Sequence, residues 1–236
     1  MENLNYLILF LLNLAIVSCS KEDNNQGGIN LTLSAVNSSG ASRISINQKA
    51  QNAEVVFTDF RISIRDVIFK NDDDDTSSLD TDEIQFRGPY QIDLLDNTEA
   101  LSQTIGNVFV PDGRYKELRF KFHKDEDLPV TDDLFDRSIF IAGTIDGVPF
   151  EFWHDTSENL DLGRNTGVLV QDGIVDFTVQ FDISQFLSSL NQIDLSQATD
   201  NNNDGLIEIY PNDADGNQDI AADLKENIKM AADLMN

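Results

Sequence analysis

From Ile29 onward apolar and polar residues alternate, and a period of two is the mark of strands with one buried face. Ile29, Leu31, Leu33 and Ala35 stand against Asn30, Thr32 and Ser34. Phe60, Ile62 and Ile64 alternate with Arg61, Ser63 and Arg65, and Asp66 to Phe69 extends or restarts that strand. Leu118, Phe120 and Phe122 share a face opposite Glu117, Arg119, Lys121 and His123. Segments 84–86 and 90–94 flank Gly88-Pro89. Segments 138–145 and 148–154 flank Asp146-Gly147, and segments 168–170 and 174–181 flank Asp172-Gly173. Asp-Gly suits a two-residue type I′ hairpin, in which both central residues take positive φ. Many short strands with turns between them, and no long helices interposed, predict a mainly β fold, an antiparallel β-sandwich or barrel.

Two segments change the period. Ser184 would cap a short internal helix with Phe186, Leu187 and Leu190 on one side. Ile220, Leu224, Ile228, Ala231 and Met235 recur every three or four residues, which predicts a C-terminal amphipathic helix with Asn217 or Asp219 as its cap. The acidic, apolar-poor stretch 71–83 reads as a connecting loop. With no internal repeat or composition shift, residues 29–236 are expected to form one sandwich domain, of which 199–236 is a loop-and-helix appendage.

Before that domain the pattern is different. Residues 6–17 form an apolar run of signal-peptide length, short of the ~20 residues a membrane-spanning helix needs. The run ends in Ile16-Val17-Ser18-Cys19, which resembles a lipobox: an aliphatic residue, two small ones, and a cysteine that takes lipid. The resemblance implies a leader over 1–18, cleavage before Cys19, and attachment to a membrane by acyl chains. The leader departs from the usual pattern in carrying Glu2 and no Lys or Arg ahead of the apolar run. Residues 19–28 read as a polar tether, and Lys21-Glu22-Asp23 in it resembles a signal that sends some lipoproteins to the outer face of the outer membrane.

Charge narrows the partners. The chain has 42 acidic and 16 basic residues, a formal net charge of −26. Nucleic acid and anionic membrane surfaces both recruit Lys and Arg, so neither is an expected partner through charge. Divalent cations, cationic partners or plain solubility fit instead. The single cysteine is assigned to the anchor, which removes disulfides and thiolate metal sites from the exported domain.

The sharpest chemical motif is Asp200-Asn201-Asn202-Asn203-Asp204-Gly205-Leu206-Ile207-Glu208. Its oxygen side chains at positions one, three and five, Gly at six and an apolar residue at eight resemble an EF-hand or dockerin calcium loop. That resemblance implies calcium held by Asp200, Asn202, Asp204, the Leu206 carbonyl and Glu208. Pro211 stands where the bidentate Glu would be, so Asp213 and Asp215 are the candidate substitutes. The bland alternative is a metal-free Asn/Asp/Gly turn, with 213–219 capping the helix.

A second cluster is Glu151-Phe152-Trp153-His154-Asp155. On a strand, Glu151, Trp153 and Asp155 share a face, and a Trp between two carboxylates suits sugar stacking and hydroxyl recognition. Packing of Trp153 under a loop is the competing reading, and the more frequent fate of large aromatics in sandwiches. Catalytic motifs are absent: there is no His-x-x-x-His, no cysteine pair and no nucleophile elbow, and the imidazoles are His123 and His154. The expectation is therefore a non-catalytic envelope binding module with a glycan or protein ligand. A carboxylate-dependent glycosidase, or a periplasmic copper protein using His154 or His123, is the alternative.

One longer pattern remains. Asp93-Leu94-Leu95, then Val110-Pro111-Asp112-Gly113-Arg114-Tyr115, then Leu118-Arg119-Phe120, resembles a bacterial lipoprotein family of unknown function whose domain is read as a prealbumin-like β-sandwich. Pro111 fixes φ before the turn, Gly113 permits positive φ, and Tyr115 can fold back on the sheet. The resemblance spans roughly residues 29–125 and implies a fold and an envelope location, with no catalytic residues to carry over.

Overall fold

A computed structural model describes residues 26–36, 48–50, 53–71, 85–187 and 193–235. Cys19, the Lys21-Glu22-Asp23 triplet, Leu190 and the acidic run 72–84 lie outside the described residues. What is described is mainly β, as the alternation predicts, with the expected helix near the C-terminus.

A four-stranded sheet holds β1 (Gln26–Val36), β6 (Ser102–Pro111), β11 (Ile174–Asp182) and β13 (Ala232–Met235) in the order β13-β11-β1-β6. The larger sheet runs β10 (Asn159–Val170), β7 (Gly113–Phe122), β3 (Ala53–Asn71), β8 (Ile139–Ile145), β9 (Val148–His154) and β12 (Ile207–Ile209). Off that path, β2 (Gln48–Ala50) and β4 (Tyr90–Asp96) pair with β3, and β5 (Glu99–Ala100) pairs with β4.

Several boundaries depart from the sequence reading. Most pairs are antiparallel, but β1 runs parallel to β11 and β9 parallel to β12, so the sheets are mixed. Both parallel pairs join strands far apart in sequence, where a crossover, not a tight hairpin, sets direction. Strand β1 begins at Gln26, so the last residues assigned to the tether belong to the sheet. A side chain on Gly27 would collide with Val170, its Cβ lying 2.4 Å from that residue's Cγ1, which is how these residues fit between strands. Segment 84–86 contributes a single bridge, Val67 to Phe86. The internal helix is the one-turn α1 (Ile183–Phe186), with Ser184 inside it and not before it.

The amphipathic stripe near the C-terminus forms α2 (Gln218–Ala231), which buries Ala221, Leu224, Asn227, Ile228 and Ala231. It stops before Met235, which the chain places in β13 beside Thr178. Asn217 precedes the helix, but its side chain bonds elsewhere. Asp219 sits in the first turn, where the helix dipole favours a carboxylate. Glu158 takes charged hydrogen bonds from Lys225 and Lys229 of α2, which fix the helix against the β9–β10 connection and hold the Glu158 carboxyl down at about 2.

Between the sheets lies one core in which phenylalanines touch in series. Phe150 meets Phe57 edge-on at 5.9 Å, Phe57 meets Phe186 at 5.8 Å, and Phe60 meets Phe181 at 6.1 Å. Tyr115 is buried and donates its hydroxyl to the Pro111 carbonyl at 2.9 Å, tying the strand back to its own turn as its sequence context predicts. The Asp146-Gly147 hairpin forms, with Asp146 at φ 50° and Gly147 at φ 82°. The second expected hairpin does not: Asp172, at φ 50°, turns the chain from β10 in the larger sheet to β11 in the smaller one, and the two strands do not pair.

The tightest backbone approach is at Gly143, where a Cβ would sit 1.9 Å from the Val56 carbonyl oxygen. The β3–β8 register slips there, Phe57 opposing Gly143 and Asp59 opposing Ala142. Gly143→Ala must push backbone apart, so a loss of about 1–3 kcal/mol is expected from the overpacking. Gly163→Ala meets nothing within 4 Å and serves as the control. Equal denaturation midpoints for the two variants would refute the tight contact.

Candidate functional site

On the outer face of the large sheet, alternation sends Phe150 and Phe152 of β9 inward and Glu151 and Trp153 outward. Register then aligns neighbours: Phe140 of β8 stands beside Trp153, and Glu151 stands beside Glu208 of β12. Tyr210 follows β12 and stacks on Trp153, ring centroids 4.6 Å apart and planes 19° from parallel. From the β8 side, the Arg137 guanidinium lies 4.8 Å from the Trp153 ring centroid and 6.0 Å from that of Phe140. Arg61 of β3 continues the row, 5.0 Å over Phe140. Trp153 thus has a planar neighbour on each side, and each cation in the row gains from the ring quadrupoles.

Arginines hold this row in register with the 124–137 segment that crosses the face. Arg61 pairs with Asp59 and Asp132, both at 3.1 Å, and with Asp133 at 3.3 Å. Arg137 donates to the Asp133 carbonyl at 2.8 Å. Burial pushes the Asp59 carboxyl above its ordinary range despite Arg61 beside it. The Glu151 carboxyl is raised too, first by burial and then by repulsion from Asp133, with Arg137 opposing and Glu208 adding to the rise. Tyr210 donates its hydroxyl to Glu208, and burial together with that carboxylate holds the phenol well above its usual range.

The 200–208 loop abuts this row through Glu208. Asp200 accepts from the Asp204 and Gly205 amides at 3.2 and 2.9 Å, and Asn202 Oδ1 accepts from Asp204 N at 2.9 Å. Gly205 takes φ 92°, a bend that glycine makes without strain. The Asn202 amide donates to Asp204 at 3.1 Å and to Glu208 at 3.4 Å, so three of the predicted ligand side chains converge on one point. Asp213 and Asp215 play a different part from the one expected of them. Both are buried, and their oxygens are taken by backbone N–H groups. Asp215 accepts from Asn201 and Asn202 through one oxygen and from Glu208 through the other, at 2.8, 3.1 and 2.9 Å. Asp213 accepts from Gly216, Asn217 and Tyr210. Buried carboxylates survive in such settings because several N–H donors replace their water. Asn217, also buried, bridges the Thr199 and Glu208 carbonyls at 3.0 and 2.7 Å. These three side chains brace the loop from behind. Among the described residues no three Asp, Glu, His or Cys side chains form a group able to hold a metal without amide or carbonyl help.

Of the predicted ligand platform, Glu151 and Trp153 stand together, while Asp155 lies past the end of β9 at 4.0 Å from Lys124. The two imidazoles are kept apart: Ser63 and Ser138 lie between His123 and His154 in a ladder of backbone hydrogen bonds. Sequence reasoning missed Arg137 and Tyr210. Tyr210 had a signal, since it is two residues from Glu208 on an alternating segment and so shares its face. Arg137 had none, because it comes from an irregular segment.

A profile described as Domain of unknown function (DUF4382) matches residues 29–206. No curated protein and no solved structure matches the chain. The matched span supplies Arg61, Arg137, Phe140, Glu151 and Trp153, and ends inside the 200–208 loop, so Glu208 and Tyr210 come from the chain beyond it.

Glu151 gives the site a pH signature. A carboxyl raised in the folded state binds its proton more tightly there than in the unfolded chain. Its contribution is therefore favourable at low pH and is lost as pH rises from about 4.5 through the folded value. Glu151→Gln removes that loss, so the variant should melt higher than wild type at pH 7 and together with it near pH 3. A variant that melts lower at pH 7 would show that the carboxylate is stabilising as an anion.

Proposed function

We propose that this chain, which belongs to that domain-of-unknown-function family, is a cell-envelope lipoprotein whose sandwich binds a glycan or protein ligand without catalysis. The observation that carries the reading is the half-exposed Trp153–Tyr210 stack, flanked by Glu151, Glu208 and Arg137. With Tyr210 on one face of Trp153 and Arg137 on the other, the ring that can offer an apolar plane is that of Tyr210, held flat by the stack, and the charged groups around it can accept and donate hydrogen bonds to hydroxyls or peptide groups. The lipobox-like Ile16-Val17-Ser18-Cys19 supports an anchor through Cys19, and Lys21-Glu22-Asp23 supports placement at the outer membrane surface.

The alternative is an envelope enzyme, such as a glycosidase using two carboxylates. It draws on one observation: Glu151, its carboxyl raised, stands in register with Glu208. A screen of the soluble domain against polysaccharides, envelope proteins and chromogenic glycosides separates the two. Binding that Tyr210→Ala weakens about tenfold or more, with no turnover, supports the module, since an anchor aromatic is worth ~2 kcal/mol. Turnover abolished by Glu151→Gln would establish the enzyme instead.

Calcium completes the proposal as the ion that orders the loop beside this face. Asp200, Asn202, Asp204 and Glu208 would hold it with the Leu206 carbonyl, while Asp213 and Asp215 brace the backbone. Support comes from the convergence of Asn202, Asp204 and Glu208, where an amide hydrogen pair now bridges carboxylates that a hard cation would bridge more strongly. Calcium bound only by the folded state adds about 2.7 kcal/mol at one hundred times Kd. Melting should then rise several degrees in millimolar calcium, at ~2–4 °C per kcal/mol, and magnesium should do less. Asp204→Ala should lose the gain while its calcium-free midpoint stays near wild type. Coincident wild-type curves in chelator and in calcium would reduce the loop to a turn.

A further inference from the structure

The chain enters the small sheet at a point that is unusually apolar outside. Gly28 of β1 pairs with Phe109 of β6 on one side and with Ile174 of β11 on the other, so all three lie in one row on one face. The flanking side chains are open to solvent, Phe109 at 68% and Ile174 at 65%. Gly28 between them bears no side chain, and the row is flat. Leu169, at 52%, lies round the same end: its neighbour Val170 packs over Gly27, and the turn from β10 to β11 accepts the Gly28 amide through the Gly173 carbonyl. Phe109 and Ile174 thus stand side by side on the outer face of the small sheet of a strongly acidic chain, and Leu169, on the outer side of β10 in the larger sheet, lies at the same end.

What lies before residue 26 names the occupant. Six residues separate Cys19 from Gln26, and the seven steps from one to the other, at ~3.3–3.6 Å each, span at most about 25 Å. On the reading that Cys19 carries lipid, this end of the sandwich cannot leave the neighbourhood of the bilayer. We propose that Phe109, Ile174 and Leu169 rest in the bilayer interface and fix how the domain stands on its membrane. The inference depends on the lipoprotein reading above. The docking is apolar in character, since Asp112 and Asp172 stand in the adjacent turns. Electroneutral lipid is therefore the surface it fits, and anionic lipid is a worse one.

The cysteine count makes the test clean, because Cys19 is the single cysteine and acylation blocks it. The acylated full chain carrying Ile174→Cys, labelled with a fluorophore and held in phosphatidylcholine vesicles, should be quenched several-fold more by headgroup-depth nitroxide lipid than a Val130→Cys counterpart. Val130, also exposed, follows β7 at its opposite end. Adding Phe109→Ser to the Ile174→Cys chain should remove most of that quenching, and replacing half the lipid with phosphatidylglycerol should reduce it. Fatty-acid labelling of wild type against Cys19→Ser is read in parallel. Labelling of the wild type alone, with equal quenching at 174 and 130, overturns the docking and leaves the anchor standing. Absence of labelling in the wild type overturns both.

Discussion

Strand β3 is the constraint from which core and site both follow. Its nineteen residues pair with β2, β4, β7 and β8, so its alternation sets the register of most of the larger sheet. Inward, Phe57 and Phe60 start the chain of phenylalanine contacts that reaches Phe150, Phe181 and Phe186. Outward, Arg61 gathers Asp59, Asp132 and Asp133 and lies over Phe140. A one-residue slip would exchange these two sets, burying a guanidinium and exposing the core. That the chain tolerates two slips in its pairing with β7, and one with β8, reflects where they fall: each comes between runs of correct register and bends the strand without inverting its faces.

Burying acids inside a chain of net charge −26 is costly, and the structure shows where that cost is met. Asp213 and Asp215 are enclosed, yet each is surrounded by amide hydrogens from the segments it joins. These bonds decide the geometry of the outer face. Asp215 holds Glu208, Asp213 holds Tyr210, and Tyr210 is thereby laid against Trp153. The aromatic stack is thus set by two carboxylates that never touch it. The loop in front carries Asp200, Asp204 and Glu208, and Glu208 joins it to the stack by accepting the Tyr210 hydroxyl.

How much of this was legible in the sequence follows from range. Period-two alternation marked β1, β3, β7 and the Asp146-Gly147 hairpin, because those patterns are local. The return of Tyr115 to the Pro111 carbonyl was legible for the same reason. Alternation could not tell that the Asp172-Gly173 turn passes between sheets and closes no hairpin, since pairing there is set by tertiary contacts. Nor was Gly113 legible: it does not take positive φ, and what requires a glycine there is Asn71, whose Nδ2 would lie 2.1 Å from a Cβ. Parallel pairing of β1 with β11 and of β9 with β12 was not legible, since it joins segments with nothing local between them. The helical stripe was extended to Met235 because a period near four and a strand both allow an apolar residue there. At the site, spacing identified Asp200, Asn202, Asp204 and Glu208, but it could not tell a ligand from a brace. Asp213 and Asp215 have the right chemistry for either, and the N–H groups that claim them are fixed by tertiary contacts alone.

On the binding and docking readings proposed above, the two ends of the molecule would have separate tasks. The entry of β1, with Phe109 and Ile174, lies beside the β6–β7 and β10–β11 turns, and Asn71 of β3 reaches the same end opposite Tyr115. Arg61, which marks the level of Phe140 and Trp153, is ten residues back along β3. At ~3.3 Å per residue that is about 30 Å, less what the register slips remove. A domain standing on its β1 end therefore carries the Trp153–Tyr210 face a domain's length from the surface beneath it. There the face would meet solvent and not lipid, within reach of a polar glycan or a protein partner. The carboxylates around the stack, unfavourable beside a membrane, cost little at that distance, since charges beyond a Debye length of ~8 Å are screened. Strand β3 spans the distance between the two ends, so the register that builds the core also separates the apolar end from the acidic face.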